Sequence, residues 1–149
     1  MKFQIREYKE SDQPSVLLVW ERSVSATHHF LSRKDFNAIK NIVAQIPFAK
    51  LNVHCLVVEN KIAGFISVIE RKIEMLFLAP EYIGKGLGQE LLQFALRKWG
   101  AYLVDVNEQN AQAVQFYKKS GFVVSERSAK DDLGFNYPIL KLRLQQTEH

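Results

Sequence analysis

The sequence predicts an α/β fold, a mixed (α+β) sheet of about six to seven strands flanked by about four helices, and three observations carry that expectation. The first is the stretch from Met75 to Trp99. The apolar run Met75-Leu76-Phe77-Leu78 ends at Pro80, Gly84-Lys85-Gly86-Leu87-Gly88 follows, and Leu91, Leu92, Ala95, Leu96 and Trp99 then share one face at helical spacing. The second is the β-type run Ala101 to Val106. A helix separates it from the Met75–Leu78 strand, so the two are expected to be parallel. The third is the segment Val53 to Leu78, three apolar runs broken by short polar turns, which makes an antiparallel meander. With 149 residues, 47% apolar and 24% charged, the chain suits one domain over residues 1–149 with a substantial core.

Taken in order, Phe3 and Ile5 alternate with polar residues up to Glu7, a short first strand. Ser11 can cap a helix with Asp12 and Pro14 in its first turn, and Val16, Leu17, Trp20 and Val24 share its face. Ser32 opens a second helix, with Asp35 three residues on as a capping box; Phe36, Ile39, Ile42, Val43 and Ile46 form its buried stripe, and Pro47 stops it. The meander follows: Val53 to Val58, a turn at Glu59-Asn60-Lys61, Ile62 to Glu70, a turn at Arg71-Lys72, and Ile73 to Leu78. Gly100 ends the next helix. After Ala101 to Val106, the polar turn Asn107-Glu108-Gln109-Asn110 caps a helix with Ala113, Val114 and Tyr117 on one face and Phe116 flanking, closed by Gly121. Phe122–Arg127 and Tyr137–Leu144, joined through Asp131-Asp132-Leu133-Gly134, make a final hairpin, and Gln145 to His149 are expected to fray. No internal repeat, linker or low-complexity segment interrupts this.

Composition narrows the function classes. A net charge of +4, from 20 basic and 16 acidic residues, suits an anionic cofactor but is too weak to argue nucleic-acid binding. The single cysteine, Cys55, excludes an internal disulfide framework and a thiolate zinc site, and in the run Val53–Val58 it reads as an inert core thiol. His28 and His29 are adjacent and have no third ligand, so no metal site is expected. The N-terminal MKFQIREY is too polar for a signal peptide and no apolar run approaches the ~18 residues of a membrane span. A cytoplasmic protein without membrane partners is the default expectation.

The glycine-rich loop is the chemical signal. Glycines allow positive φ and close backbone approach, and free N–H groups at a helix N-terminus bind phosphate. Gly84 to Gly88 therefore read as a pyrophosphate cradle, with an ordinary strand–helix turn as the alternative. It is not a dinucleotide fingerprint, since G-x-G-x-G is not G-x-G-x-x-G, and it is not a triphosphate P-loop, since Gly86 stands where a Ser or Thr would hold magnesium. Glu74, among apolar residues in a strand, is a candidate general base or else a solvent-facing strand position. His28, between two early helices, is a candidate for a substrate wall or else a locally hydrogen-bonded side chain.

The two motifs together resemble the GNAT superfamily of N-acetyltransferases. Strand, x-x-G-K-G-L-G and helix precede strand and N-E-Q-N-A-Q-A-V-Q-F-Y-K-K-S-G-F, in which Asn110, Ala113, Phe116, Tyr117, Gly121 and Phe122 match N-x-x-A-x-x-F-Y-x-x-x-G-F. The element order β-α-α-β-β-β-α-β-α-β-β also fits over almost the whole chain. The strings Ser23–Leu31, Val106–Asn110 and Tyr137-Pro138 are similar to a small bacterial branch of the family.

The resemblance implies a GNAT-like fold with two splayed parallel central strands and acetyl-CoA as cosubstrate. Backbone groups of Leu76, Phe77 and Leu78 would meet the pantetheine amides and the thioester carbonyl. Ile83, Gly84, Lys85, Gly86, Leu87, Gly88 and Gln89 would form the pyrophosphate loop. Asn110 would hydrogen-bond the pantetheine arm, Asn107 and Phe116 would join the cofactor-binding residues, and Tyr117 would stand near the thioester sulfur as general acid. Asn110 can serve as an N-cap as well, and Tyr117 as a core aromatic. The family usually carries Arg or Gln where this chain has Ile83, so a side-chain head is lost while the backbone cradle remains. The catalytic candidates are Tyr117, Glu74 and His28, with Glu108 as a further base candidate and Tyr137 near the acceptor. The implied activity is acetyl transfer to a primary amine on a small molecule or peptide, by a monomer or homodimer. A non-catalytic acetyl-CoA-binding module is the alternative, and a nucleotide-phosphate-binding protein a distant third.

Overall fold

Four strands of Met1–Ala101 form one antiparallel sheet: β1 (Phe3–Glu7), β2 (Val53–Val58), β3 (Lys61–Ile69) and β4 (Lys72–Leu78), each hydrogen-bonded to the next. The structure is a computed structural model that describes residues 2–145; the expected fraying at 146–149 lies outside them. By internal contacts the chain divides into two compact units, Met1–Ala101 and Tyr102–His149.

Pleating gives the first sheet two apolar faces. Cys55 and Phe65, directly opposed, point to one face and join Val16, Trp20 and Val24 of α1 (Gln13–Thr27) and Val43 of α2 (Arg33–Val43) in one core cluster. Leu56 and Ile66, a register step away, are likewise fully buried, and α3 (Leu87–Trp99) buries Leu91, Leu92 and Ala95. His54 lies on the Leu56 face and meets Phe94 and Trp99 of α3. Each fully buried Leu, Ile or Phe contributes about 1.5–3 kcal/mol.

In Tyr102–His149, β5 (Leu103–Asn107), β6 (Phe122–Ser128) and β7 (Ile139–Leu144) form an antiparallel sheet with β7 in the middle. α4 (Ala111–Lys119) buries Val114 and Tyr117. The described residues thus hold seven strands and four α-helices, as expected.

Several boundaries differ from the sequence reading. Ser11 caps nothing: Glu10–Asp12 is a 3-10 turn, and Asp12 is the residue before α1. Its carboxylate instead accepts two bonds from Arg6, at 2.8 and 3.0 Å, and one from the Lys9 N–H. In α2, Ser32 Oγ does accept from the Asp35 N–H, but Ile42 is 42% exposed and the helix ends at Val43, before Ile46. The first meander turn is Glu59-Asn60, within the expected span but without Lys61, which opens β3, and the second is Glu70-Arg71, one residue earlier than expected. All four residues have positive φ, between 50° and 66°. Paired left-handed residues match the twist of a two-residue hairpin, so the ladders close at Val58 with Lys61 and at Ile69 with Lys72. β7 starts at Ile139 instead of Tyr137, because Pro138 has no N–H for the ladder. β5 runs from Leu103 to Asn107 instead of Ala101 to Val106.

Candidate active site

The glycine loop leaves β4 through a 3-10 turn, Pro80–Tyr82, that the sequence did not announce. Gly84 has φ 81° and Gly86, the N-cap of α3, has φ 82°; a Cβ at either would meet nothing within 4 Å. Glycine is needed there for conformation, not for space: a left-handed backbone costs an L-residue about 1–2 kcal/mol. The first helical bond of α3 runs from the Glu90 N–H to Gly86 O. Ahead of it, the N–H groups of Gly84, Lys85, Gly86, Leu87 and Gly88 donate to no backbone carbonyl among the described residues. Open amides at the positive end of a 13-residue helix attract an anion. Ile83 and Lys85 are exposed, Leu87 is buried and Gln89 half-buried.

Upstream, Leu76, Phe77 and Leu78 are half-buried in β4. β3 approaches this strand very closely at Gly64, opposite Leu78: a Cβ there would lie 2.6 Å from the Phe77 carbonyl oxygen. Glu74 is the extra residue of a β-bulge, since Ser67 pairs with Met75 and Val68 with Ile73, and its side chain is exposed.

In the second unit, Asn110 Oδ1 caps α4 by accepting from the Ala113 N–H at 3.2 Å, and the Asn110 N–H donates to Asn107 O. Seven residues on, Tyr117 is 6% exposed. Its ring packs edge-on against Phe116 and Phe122, at 5.0 and 5.5 Å. Burial pushes the phenol well above its ordinary value, so it is a proton-bearing donor at neutral pH. Glu108 is held by Arg127 through Nε and Nη2, an ion pair that lowers its pKa and occupies its oxygens. Asn107, Phe116 and Tyr137 are half-buried.

His28 ends α1. Its Nδ1 lies 2.7 Å from Thr27 Oγ1, and burial, followed by the neighbouring His29, pushes its pKa down to about 4. His29 is exposed. Cys55 is fully buried and burial pushes its thiol up to about 12, as an inert core cysteine requires. Among the described residues no cluster of His, Cys, Asp and Glu could hold a metal ion, and no helix is long and apolar enough to cross a membrane.

A family model for the acetyltransferase (GNAT) domain matches residues 25–136. The chain belongs to the GNAT acetyltransferases. It is 38% identical, over 95% of its length and 98% of the other, to the peptidyl-lysine N-acetyltransferase YjaB of Salmonella typhimurium. The solution structure of apo-form YjaB from Escherichia coli matches with a TM-score of 0.89 at 36% identity, covering 96% of this chain and 97% of that one. A PaiA N-acetyltransferase from Thermoplasma acidophilum, solved with coenzyme A, shares the fold at a TM-score of 0.74 and 22% identity, over 95% and 98% of the two chains. The GNAT fold inferred from the two motifs is therefore the fold of this acetyltransferase. Sequence reasoning did not reach the Arg22–Glu81 ion pair, the Thr27 contact to His28 or the close approach at Gly64. Only the last left a signal, a glycine inside a strand.

Proposed function

We propose that this GNAT acetyltransferase moves an acetyl group from acetyl-CoA to the ε-amine of peptidyl lysine, as a single-domain cytoplasmic enzyme, monomeric or homodimeric. The observation that carries the reading is the run of open amides from Gly84 to Gly88 at the head of α3. That geometry fits a pyrophosphate and asks nothing of the side chain at Ile83, which stands where Arg or Gln is usual in the family. The lysine acceptor is taken from the YjaB relative.

Each residue then has a role. Backbone groups of Leu76 and Leu78 pair with the pantetheine amides, and an N–H at Leu76 or Phe77 polarises the thioester carbonyl. Gly84 to Gln89 hold the pyrophosphate, while Asn107, Asn110 and Phe116 hold the pantetheine arm. The lysine nitrogen attacks the carbonyl carbon and the C–S bond breaks. Tyr117 gives its proton to the departing thiolate, and the amine's surplus proton leaves to a base or a water chain. Glu74 is exposed and suits the start of such a chain. Glu108 is committed to Arg127. His28, near 4, would take a proton from a lysine ammonium near 10.4 only uphill by about 9 kcal/mol.

Calorimetric titration with acetyl-CoA tests the cradle. Binding at about −6 to −8 kcal/mol, low to tens of micromolar, followed by mass-shifted lysine peptides, is the expected outcome. No binding would reduce the loop to a strand–helix turn, and binding without transfer to any amine would leave a non-catalytic module.

A further inference from the structure

The turn ending α1 decides which nitrogen of His28 carries its proton. Thr27 Oγ1 lies 2.8 Å from Ser23 O and 2.7 Å from His28 Nδ1. A hydroxyl has one proton to give. The Ser23 carbonyl can only accept, so it takes that proton, and the hydroxyl is left to accept from Nδ1–H. Neutral imidazole holds a single N–H, so Nε2 is bare. It has no partner among the described residues, yet it is not sealed from solvent: His54 Nδ1 is the buried side-chain atom that lacks a partner there.

The position of this ring is also informative. Arg22, on the same helix, grips Glu81 in the turn just before the glycine loop, and Trp20 and Val24 share a core cluster with Ala79. The C-terminal half of α1, which His28 ends, therefore runs beside the end of β4 from which the loop departs. Phe30 packs on the imidazole at 5.2 Å and fixes its plane.

We propose that the bare Nε2 of His28 is the hydrogen-bond acceptor that seats the acceptor's amine N–H, with Thr27, through the Ser23 carbonyl, as the positioning residue that holds the ring in this tautomer. The inference rests on the reading of the chain as a peptidyl-lysine N-acetyltransferase. No bond forms or breaks at His28; its role is binding and orientation. A ring pushed down to about 4 stays neutral near pH 7, so it accepts from a lysine ammonium without repelling it.

Long-range proton–nitrogen NMR of the imidazoles in the intact protein tests this directly. The expected spectrum has His28 protonated at Nδ1 and bare at Nε2, kept in Thr27→Ser and lost or mixed in Thr27→Val. Adding a blocked Ala-Lys-Ala peptide should move the Nε2 resonance. In kinetics with that peptide and saturating acetyl-CoA, His28→Ala should raise KM about tenfold or more with kcat little changed, and Thr27→Val should raise it several-fold with Thr27→Ser close to the parent. Protonation at Nε2, or an unmoved resonance and unchanged KM while the parent enzyme turns over, would overturn the assignment. An Nε2 resonance that moves with peptide while no acetylation occurs would instead overturn the transfer reading and leave the seat standing.

Discussion

Arg22 holds Glu81 in a two-pronged ion pair, Nη1 to Oε1 at 2.8 Å and Nη2 to Oε2 at 2.7 Å, across 59 residues of chain. It ties helix α1 to the 3-10 turn from which the glycine loop departs. The pair raises the guanidinium pKa and lowers that of the carboxyl, but both side chains are about half exposed, at 46% and 47%. Water and salt therefore screen it. Glu81→Gln should weaken acetyl-CoA binding by no more than about fivefold, less at high salt, and the charge-exchanged double variant Arg22→Glu/Glu81→Arg should recover part of the loss. A larger, salt-independent loss in calorimetry would mean that Glu81 touches the ligand itself.

Two glycines separate strain from crowding. At Gly86 the φ of 82° penalises any side chain while the space is open, so Gly86→Ala should cost about 1–2 kcal/mol in urea unfolding. At Gly64 a Cβ would sit 2.6 Å from both Leu78 Cδ2 and the Phe77 carbonyl oxygen. The side chain can turn away but the carbonyl cannot, so Gly64→Ala should cost about 3 kcal/mol or more and displace the β4 backbone assigned to the pantetheine amides. If Gly86→Ala were the more damaging of the two, this ordering would be wrong.

The same two positions show how much could be read in advance. Gly84-Lys85-Gly86 before an amphipathic helix, Asn110 before α4, and Gly100 and Gly121 after helices are local devices, and local rules found them. The first hairpin turn was drawn one residue too long and the second one residue late, because Glu59, Asn60, Glu70 and Arg71 adopt left-handed backbone without a glycine to announce it. The bulge at Glu74 is set by how β3 and β4 align, which no single strand encodes. Ion pairs such as Arg6–Asp12 join elements through side chains, so periodicity carries no trace of them. Of the candidate site, the glycine loop with its open amides and the Asn110–Tyr117 helix were legible as motifs. The tautomer of His28 was not, because it follows from a distance between Thr27 and Ser23.

Acid should destabilise this protein in two stages. The pKa of His28 is pushed down from 6.5 to about 4, and burial, reinforced by Lys98 against opposing effects of Glu7 and the Asn52 backbone, lowers His54 too. A histidine depressed in the folded state stabilises fully above its unfolded value and loses that contribution as pH falls from about 6.5 toward the folded value. For His28 the loss is up to about 3 kcal/mol at 1.36 kcal/mol per pH unit. Asp12, lowered by Arg6, is the second stage, its contribution present above the ordinary carboxylate value and lost only below it. Unfolding free energies should therefore be flat from pH 7 to 8, fall between 6.5 and 4, and fall again below 4. His28→Asn should flatten part of the first drop; an unchanged slope would show that His28 is not desolvated in solution.

Tyr117→Phe distinguishes a core aromatic from a proton donor. The hydroxyl has no hydrogen-bond partner among the described residues, and its pKa is raised by burial alone. Removing it leaves no orphaned partner behind, while the ring keeps its edge contacts with Phe116 and Phe122. Stability should therefore be unchanged or slightly improved, and acetyl-CoA affinity unchanged, since the phenyl fills the same volume. If Tyr117 protonates the thiolate, turnover should still fall about a hundredfold or more. Because the raised pKa keeps the proton in place across the neutral range, the parent enzyme should show no loss of kcat from this group up to pH 10. A loss of stability with turnover intact would assign Tyr117 to the core and return the leaving-group proton to water.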